Sequence, residues 1–295
     1  MTTDVHPPRP PAPRRGPVRR LLEVRGLVGG HTAPHVQTRL RSSDGVLLTG
    51  SYLPGAGAEQ GPAVLLAHGF AAHRRKPAYA RLADGLAARL PVLALDLRGH
   101  GDSGGWSTFG DREALDIEAG VEWLRAMGHR EVVGLGLSMG ATAALHAAAR
   151  GTRFDGLVLI SAPARFRAVP ETDPTRRLKR LWDSPGHRRV LWLVTGVRLA
   201  GPEQWRRPDH PVEMAGGVSA PLLVVHGRDD GYFPVDDARA LMAAAAGPCT
   251  LWLEPAGFGH AEDGLTPPFI DDLRAAVVHA SECGAFPDRE VSEEA

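Results

Sequence analysis

Residues 131–149 read EVVGLGLSMGATAALHAAA, and this stretch decides the fold. Residues 131–137 form an apolar run with no polar break after the first residue, which is typical of a strand buried on both faces. The alanine-rich residues 141–149 have a high helix propensity. Ser138 stands between them with a glycine two positions before and two positions after it, where a side chain would clash in a tight turn. The stretch therefore predicts a strand, a sharp turn that exposes a serine hydroxyl, and a helix whose N-terminus favours negative charge there.

The same glycines have a second interpretation, a dinucleotide-binding turn. Gly134, Gly136 and Gly140 follow a strand, and Asp155 lies about 20 residues further on, where a ribose-binding acid is expected. Two features disfavour this interpretation. Gly140 comes one position too late, and Asp155 precedes the strand predicted at 156–161, whereas a ribose ligand stands at the carboxyl end of a strand.

Length, charge and cysteine content bound the class of protein. The 295 residues suffice for one large α/β domain, and 34 basic residues balance 34 acidic ones, so no overall field attracts nucleic acid. Cys249 and Cys283 lie outside any C-x-x-C or Cys/His spacing, which indicates reduced thiols and a cytoplasmic protein. No apolar run reaches the ~18–20 residues of a membrane-spanning helix.

The two ends differ in composition from the rest of the chain. Residues 1–34 are rich in proline and arginine and are predicted to form a disordered tail. Arginine pairs at 14–15 and 19–20 resemble an export signal, but charged residues interrupt the segment that follows, so export is not expected. The polar, acidic residues 283–295 are predicted to be frayed, which leaves 35–282 as the folded domain.

Apolar strands alternate with amphipathic helices through most of the domain. Strands are predicted at 36–40, 46–52, 63–67, 92–95, 131–137, 156–161, 221–225 and 250–253. Helices are predicted at 77–90, at 111–127 with Asp111 as N-cap, at 141–149, at 235–246 and at 267–279. The first two strands should form an antiparallel hairpin at one edge. The fold class predicted is α/β, with a mostly parallel sheet of about eight strands and helices on both faces.

The alternation of strands and helices stops at residues of about 165–217, which carry no clear strand. The segment holds Trp182, Trp192 and Trp205, and eleven Lys or Arg residues against six Asp or Glu. Its length fits a small helical lid inserted over the carboxyl ends of the strands. The tryptophans would form the core of the lid and the arginines its solvated face; alternatively they would select an acyl chain or an anionic group.

Three loops predicted at the carboxyl ends of strands carry a serine, an acid and a histidine. They bring Ser138, Asp230 and His260, in that order along the chain. In a parallel sheet these loops converge on one crevice. A serine hydroxyl is a weak nucleophile without a base, and the base needs an acid that holds its tautomer.

The chain resembles the α/β-hydrolases, in particular the group that contains serine aminopeptidases and monoacylglycerol-lipase-like esterases. The resemblance covers residues of about 36–281 and preserves the order and spacing of the family's motifs. The matching motifs are Ser43-Asp44-Gly45, His68-Gly69-Phe70, Asp96-x-Arg98-Gly99-His100-Gly101-x-Ser103, Gly136-x-Ser138-x-Gly140, His226-Gly227-x-x-Asp230-x-x-x-Pro234 and Gly259-His260. One departure is Ala141, where many relatives carry a second glycine.

The resemblance implies a role for each of these residues. Ser138 would be the nucleophile, His260 the base and Asp230 the orienting acid, and the backbone N–H groups of Phe70 and Met139 would form the oxyanion hole. The neighbouring Asp229 and Asp263 remain rival acids, with the spacing favouring Asp230. Of the other histidines, His68 and His100 are expected to brace loops and His146 to pack against the sheet. His279 falls on the last helix, too far from a strand end to serve as the base.

The function expected is hydrolysis of a carboxylic ester with a small or medium acyl chain through an acyl-enzyme, with no metal and no organic cofactor. The partner expected is a small-molecule acyl substrate. Three alternatives stay open: a peptidase that releases an N-terminal residue, which would need acidic groups in the lid; an acyltransferase or thioesterase that uses the same residues; and a protein that only binds. Neither the substrate nor the oligomeric state follows from the sequence.

Overall fold

The computed structural model describes residues 29–56, 61–166, 172–202, 205 and 208–289. Helices and strands alternate as predicted over most of the chain. In chain order they are β1 Val36–Arg41, β2 Leu47–Leu53, β3 Ala63–Ala67, α1 Pro77–Leu86, β4 Val92–Asp96, α2 Glu113–Ala126, β5 Val132–Leu137, α3 Met139–Ala149, β6 Gly156–Ile160, α4 Asp173–Asp183, α5 Pro185–Thr195, α6 Pro211–Ala215, β7 Leu222–Gly227, α7 Val235–Ala244, β8 Cys249–Glu254 and α8 Pro267–Cys283.

The eight strands form one sheet in the order β1-β2-β4-β3-β5-β6-β7-β8. The hairpin β1-β2 lies at one edge, and β2 also pairs antiparallel with β4. All pairings from β4 to β8 are parallel. The predicted mostly parallel sheet of about eight strands is therefore confirmed, and the loops after β3, β4, β5, β7 and β8 emerge at the same edge.

Both faces of the sheet are covered. Along β3, Leu65 belongs to the core beneath α2, α3 and α7, whereas Val64 and Leu66 belong to the core beneath α1 and α8. Since every residue of β3 is buried, the strand reads as a continuous apolar run and not as an alternating one. Such continuously apolar strands predicted helices on both faces of the sheet, and this prediction is confirmed.

Helix boundaries differ from the prediction by up to four residues, and two of these differences have a clear physical reason. Helix α1 ends at Leu86 and not at 90, because the chain turns through residues 87–90 before Pro91, and a proline disfavours a helical conformation in the residue before it. Helix α2 begins at Glu113, and Asp111 does not cap it. The Asp111 side chain binds instead to Arg150 and Trp205, which are distant in sequence.

The described parts of both tails contact the domain. Thr32 donates to the Asp84 carboxylate from its N–H and its hydroxyl, each at 2.7 Å, so this end of the predicted disordered tail 1–34 is attached to α1. At the other end the side chain of Phe286 is buried, and its carbonyl oxygen accepts from the Thr250 hydroxyl at 2.9 Å. The prediction of fraying from residue 283 is therefore wrong for 284–289, because an apolar ring returns to the core. Residues 1–28 and 290–295 lie outside the described residues.

The predicted insertion at about 165–217 is helical. Helices α4 and α5 form a hairpin with capped ends, since the Thr172 hydroxyl accepts from Thr175 N–H and the Ser184 hydroxyl accepts from His187 N–H. Helix α6 packs on α3 and α7, so it belongs to the helical layer of the domain. Residues 167–171, 203–204 and 206–207 of the predicted insertion lie outside the described residues.

After α5 the chain is fixed to the loop that follows β4. Leu199 forms an isolated parallel bridge with Ser107. The backbone N–H of Arg198 donates to Gly99 O at 2.9 Å, and its buried guanidinium donates to carbonyl oxygens of the same loop. None of the helices within the described ranges is both long and apolar enough to cross a bilayer.

Candidate active site

Ser138 occupies a sharp turn between β5 and α3, as the sequence predicted. Its φ of 51° and ψ of −111° are strained for a residue with a side chain. A Cβ added to Gly136 would lie 2.4 Å from Gly140 O, and one added to Gly140 would lie 2.3 Å from Ala67 O. Only glycine fits at either flank, so the close approach of backbone holds Ser138 in this conformation. Ala141 is buried in α3 without disturbing the turn.

The three predicted residues lie in one chain of hydrogen bonds. His260 Nε2 lies 3.1 Å from Ser138 Oγ, and His260 Nδ1 lies 2.8 Å from Asp230 Oδ2. Since a carboxylate oxygen can only accept, we assign the ring proton to Nδ1, which leaves Nε2 free to accept the serine proton. The structure thus brings together the ends of β5, β7 and β8 in the geometry of a nucleophile, a base and an orienting acid.

Asp230 is held as a carboxylate. Its side chain is fully buried, and its Oδ1 accepts from the backbone N–H groups of Tyr232 at 2.7 Å and Phe233 at 3.0 Å. Burial alone would raise the pKa of Asp230, but its hydrogen bond to His260 and that group's charge outweigh burial, so the pKa lies below the ordinary value. Oδ2 is left to face the imidazole.

The rival acids have other contacts. Asp229 accepts from Gly257 N–H at 2.7 Å and Gly259 N–H at 2.9 Å, which fixes the loop that carries His260. Asp263 accepts from the backbone N–H of His260 at 3.1 Å. Both carboxylates support the histidine loop through its backbone, whereas Asp230 contacts the imidazole.

The sequence analysis missed two aromatic side chains beside the imidazole. The Tyr232 ring stacks on the His260 ring with centroids 4.1 Å apart, and the Phe233 ring meets it edge-on at 5.5 Å. No motif marks these positions, and their proximity to Asp230 in the sequence was the only available signal.

Phe70 and Met139, the predicted donors to an oxyanion, both line the same cavity as Ser138. Met139 is the first residue of α3, where a backbone N–H has no intrahelical acceptor. Phe70 lies in the loop after β3, next to Ala71, whose φ is 59°. The Tyr79 hydroxyl fixes the start of this loop, since it accepts from Gly69 N–H at 2.9 Å.

The remaining histidines of the sequence analysis, and Asp155, lie away from Ser138 or bind backbone. His68 and His100 hydrogen-bond loop backbone. His146 is buried next to the Phe166 ring, and burial lowers its pKa.

Asp155 accepts from Val132 N–H at the amino end of β5, opposite the serine turn, so the dinucleotide interpretation is not supported.

A cavity of about 500 Å³ opens over the serine. Apolar and aromatic side chains form most of its wall, and α4 contributes one side. Its lining residues are Phe70, Phe109, Ser138, Met139, Thr142, Pro163, Arg165, Phe166, Thr175, Leu178, Lys179, Trp182, Asp183, Pro202, Trp205, Tyr232 and Phe233. Within the described ranges, no group of three or more His, Cys, Asp or Glu side chains is placed to hold a metal ion.

The ring contacts along the cavity form a continuous aromatic wall. Phe109 contacts Phe70 at 4.7 Å, Trp182 at 5.6 Å and Trp205 at 6.3 Å between centroids, and the two tryptophans meet at 4.4 Å. Two of the three tryptophans noted in the sequence thus face the cavity. The wall joins the domain to the insertion.

Known proteins resemble this chain in sequence and in fold. The family described as α/β hydrolase fold matches residues 62–190. An uncharacterized protein of Mycobacterium tuberculosis is 30% identical over 232 residues, 77% of this chain and 72% of that protein. An uncharacterized protein of Bacillus subtilis is 31% identical over 170 residues, 56% of this chain and 54% of the relative, so the match spans about half of that relative's length.

Solved structures share the fold at lower identity. An esterase of Pyrococcus furiosus superposes with a TM-score of 0.64 at 23% identity, over 84% of this chain and 91% of the esterase. A Rhodococcus esterase gives a TM-score of 0.59 at 20% identity, over 82% and 98% of the two chains. The family match and the mycobacterial relative show that the chain belongs to the α/β-hydrolase superfamily, and the solved structures share its fold.

Proposed function

We propose that this protein is a serine esterase that cleaves carboxylic esters with a small or medium acyl chain. The observation that carries the proposal is the unbroken contact from Asp230 through His260 to Ser138, at 2.8 and 3.1 Å, beneath an apolar cavity. Within the family, the motifs are similar to those of serine aminopeptidases and monoacylglycerol-lipase-like esterases, and we assign the protein to that group.

The reaction follows from the positions of three atoms. His260 Nε2 takes the proton from Ser138 Oγ as the oxygen attacks the ester carbonyl, and Asp230 stabilises the imidazolium that forms. The imidazolium then protonates the leaving alcohol, which departs and leaves an acyl group on Ser138. The same nitrogen accepts a proton from water, the hydroxide attacks the acyl-enzyme, and the proton returns to Ser138 Oγ as the acid leaves.

Two backbone groups stabilise the tetrahedral intermediate in this proposal. The N–H groups of Phe70 and Met139 donate to the carbonyl oxygen as it becomes negative. Donors fixed in this way before reaction contribute about 3 kcal/mol each to the transition state. The N-terminus of α3 adds its dipole, because Ser138 immediately precedes that helix.

The apolar lining of the cavity is evidence that the substrate carries an apolar acyl group. Apart from the Lys179–Asp183 ion pair and the exposed Arg165, the lining is apolar or uncharged. Each methylene removed from water contributes about 0.8 kcal/mol, so an acyl chain along the aromatic wall gains affinity with each carbon until the cavity is filled. We propose that α4 and α5 act as the lid, within a domain that spans 35–282.

The alternatives use parts of the same site. A peptidase acting at an N-terminus needs a carboxylate for the substrate's ammonium, and the acid in the lining, Asp183, is already paired with Lys179. An acyltransferase or thioesterase would use the same Ser138, so the acceptor and the leaving group distinguish them from an esterase. The free thiols of Cys249 and Cys283 support our placement of the protein in the reducing cytoplasm.

The test is hydrolysis of p-nitrophenyl esters from acetyl to dodecanoyl, beside amino-acid p-nitroanilides. We expect ester turnover that disappears in Ser138→Ala and persists in Ser219→Ala, a control at an exposed serine near the opposite edge of the sheet. A fluorophosphonate should add its mass to the native protein and to Ser219→Ala, and not to Ser138→Ala. Ester turnover retained in Ser138→Ala would refute the proposal, and turnover of anilides alone would assign the protein to the peptidases.

A further inference from the structure

We propose that the exposed faces of α4 and α5 form a docking surface for an anionic lipid bilayer. We call it the α4–α5 surface; it consists of Val190, Leu193 and Val194 with Arg176, Arg177, Arg180 and Arg189. The proposal goes beyond ester hydrolysis, since binding to a bilayer does not require Ser138.

The apolar part of the surface lies on α5. Val190, Leu193 and Val194 are 58%, 39% and 51% exposed, and they make up three of the eight large apolar side chains that are exposed among the described residues. Their spacing places them on one side of the helix. Leu191 and Thr195, on the other side, are half-buried. The helix therefore turns apolar side chains to solvent on the face where a globular protein normally has polar ones.

The cationic part lies mainly on the neighbouring helix α4, which packs against α5. Arg176, Arg177 and Arg180 are exposed there, and Arg189 is exposed on α5 between the apolar residues and the helix start. Together the two helices contain six Lys or Arg residues and two Asp residues, whereas the whole chain has 34 of each sign. The positive charge is thus concentrated on the hairpin that also exposes apolar side chains.

This combination selects a lipid surface over other partners. Apolar side chains that enter the acyl region, surrounded by cations at the level of the phosphates, are the arrangement of helices that lie in a membrane interface. A second copy of the same surface would fit the apolar part, but a symmetric dimer would bring the two sets of arginines against each other. The apolar centre distinguishes the surface from a site for a purely polar anion.

The position of the surface relates it to the cavity. Leu178 and Trp182 of α4 line the cavity that contains Ser138, whereas Arg176, Arg177 and Arg180 of the same helix are exposed and do not line it. A protein docked by this surface would hold its cavity next to the bilayer. If the protein is an esterase, its substrates would then include esters dissolved in the membrane; this consequence rests on the proposed function.

Sedimentation with vesicles tests the proposal on the full chain. We expect the native protein and Ser138→Ala to bind vesicles of phosphatidylcholine containing about one third phosphatidylglycerol, to bind phosphatidylcholine alone at least about tenfold more weakly, and to be released by high salt. The double variants Val190→Ser/Leu193→Ser and Arg177→Glu/Arg180→Glu should each weaken binding by about tenfold or more.

Matched controls come from α7. Met242 is 39% exposed, as Leu193 is, and Arg239 is an exposed arginine, so Met242→Ser and Arg239→Glu should bind as the native protein does. The proposal is overturned if the native protein stays in the supernatant, if the α7 variants lose as much binding as the α4–α5 variants, or if the α5 variant only abolishes self-association. Vesicle binding without ester turnover would refute the proposed function and leave the docking surface intact.

Discussion

His68 and His100 connect the same two loops in opposite directions, with ring centroids 5.0 Å apart. His68, in the loop after β3, accepts at Nε2 from Leu97 N–H in the loop after β4, at 3.1 Å. His100, in the loop after β4, accepts at Nε2 from Ala71 N–H in the loop after β3, at 3.2 Å. Each Nδ1 contacts a carbonyl oxygen, so we assign both rings to the neutral tautomer with the proton on Nδ1. The loop that carries Phe70 depends on both rings staying neutral.

This pair predicts a loss of stability in mild acid. Burial, reinforced by the neighbouring His100, lowers the pKa of His68 to about 3, and burial also lowers the pKa of His100. In the unfolded chain both rings gain protons below about pH 6.5, so the stabilisation is full above that pH and is lost as pH falls from there. His68 alone should remove about 2 kcal/mol from the free energy of unfolding between pH 6.5 and 5. Urea unfolding at each pH measures this; a constant free energy across the range would contradict it.

Removal of the Tyr232 ring should lower activity. Because the ring stacks on His260, Tyr232→Ala should let the imidazole leave its contact with Ser138 and reduce kcat/KM by about tenfold. Tyr232→Phe keeps the ring and should retain native activity and an unchanged melting temperature. The loss should be equal for acetyl and longer esters, since it concerns the base. A loss confined to long esters would show that Tyr232 acts only as part of the cavity wall.

The two adjacent aspartates should differ strongly in their effect on rate. Asp230→Asn should reduce kcat by about 10³–10⁴-fold, because an amide can donate to Nδ1 and favour the wrong tautomer of His260. Asp229→Asn removes only contacts to the backbone of Gly257 and Gly259, so we expect a loss below about tenfold. Steady-state kinetics on one ester measure both variants. Equal losses would refute the assignment of Asp230.

Trp182 should limit the length of the acyl chain. Its ring closes the aromatic wall between Phe109 and Trp205, so Trp182→Ala enlarges the cavity on the side of α4. We expect the optimum among p-nitrophenyl esters to move to longer chains, with kcat/KM for acetyl ester changed by less than about threefold. The exposed Trp106→Ala serves as the control. An unchanged optimum would place the acyl chain elsewhere.

The sheet could be predicted because its strands carry a local signal. Val64, Leu65 and Leu66 are apolar in succession since both faces of β3 are covered, and Gly136 is required by a contact within the turn itself. Spacing along the chain was enough to choose Ser138 and the loop of His260, which the structure places within hydrogen-bonding distance.

Features that depend on distant partners could not be predicted. Asp111 has the sequence context of an N-cap, but Arg150 and Trp205 bind it. Phe286 lies in a polar segment, and only the folded sheet shows that its ring reaches the core. Tyr232 reaches His260 only because the loops after β7 and β8 meet. The stacking of the two rings therefore cannot be inferred from the spacing of residues along the sequence.

The hairpin α4–α5 lies between two attachment points. Before it, Ala164 N–H donates to the Asp237 carboxylate at 3.1 Å; after it, Leu199 pairs with Ser107 and Arg198 is bound to the loop that follows β4. Neither attachment uses a residue of α4 or α5. The hairpin can therefore change in length and sequence without breaking either attachment. Such changes would remodel the side of the cavity that α4 provides and leave the hydrogen bonds between the serine, the histidine and the acid in place.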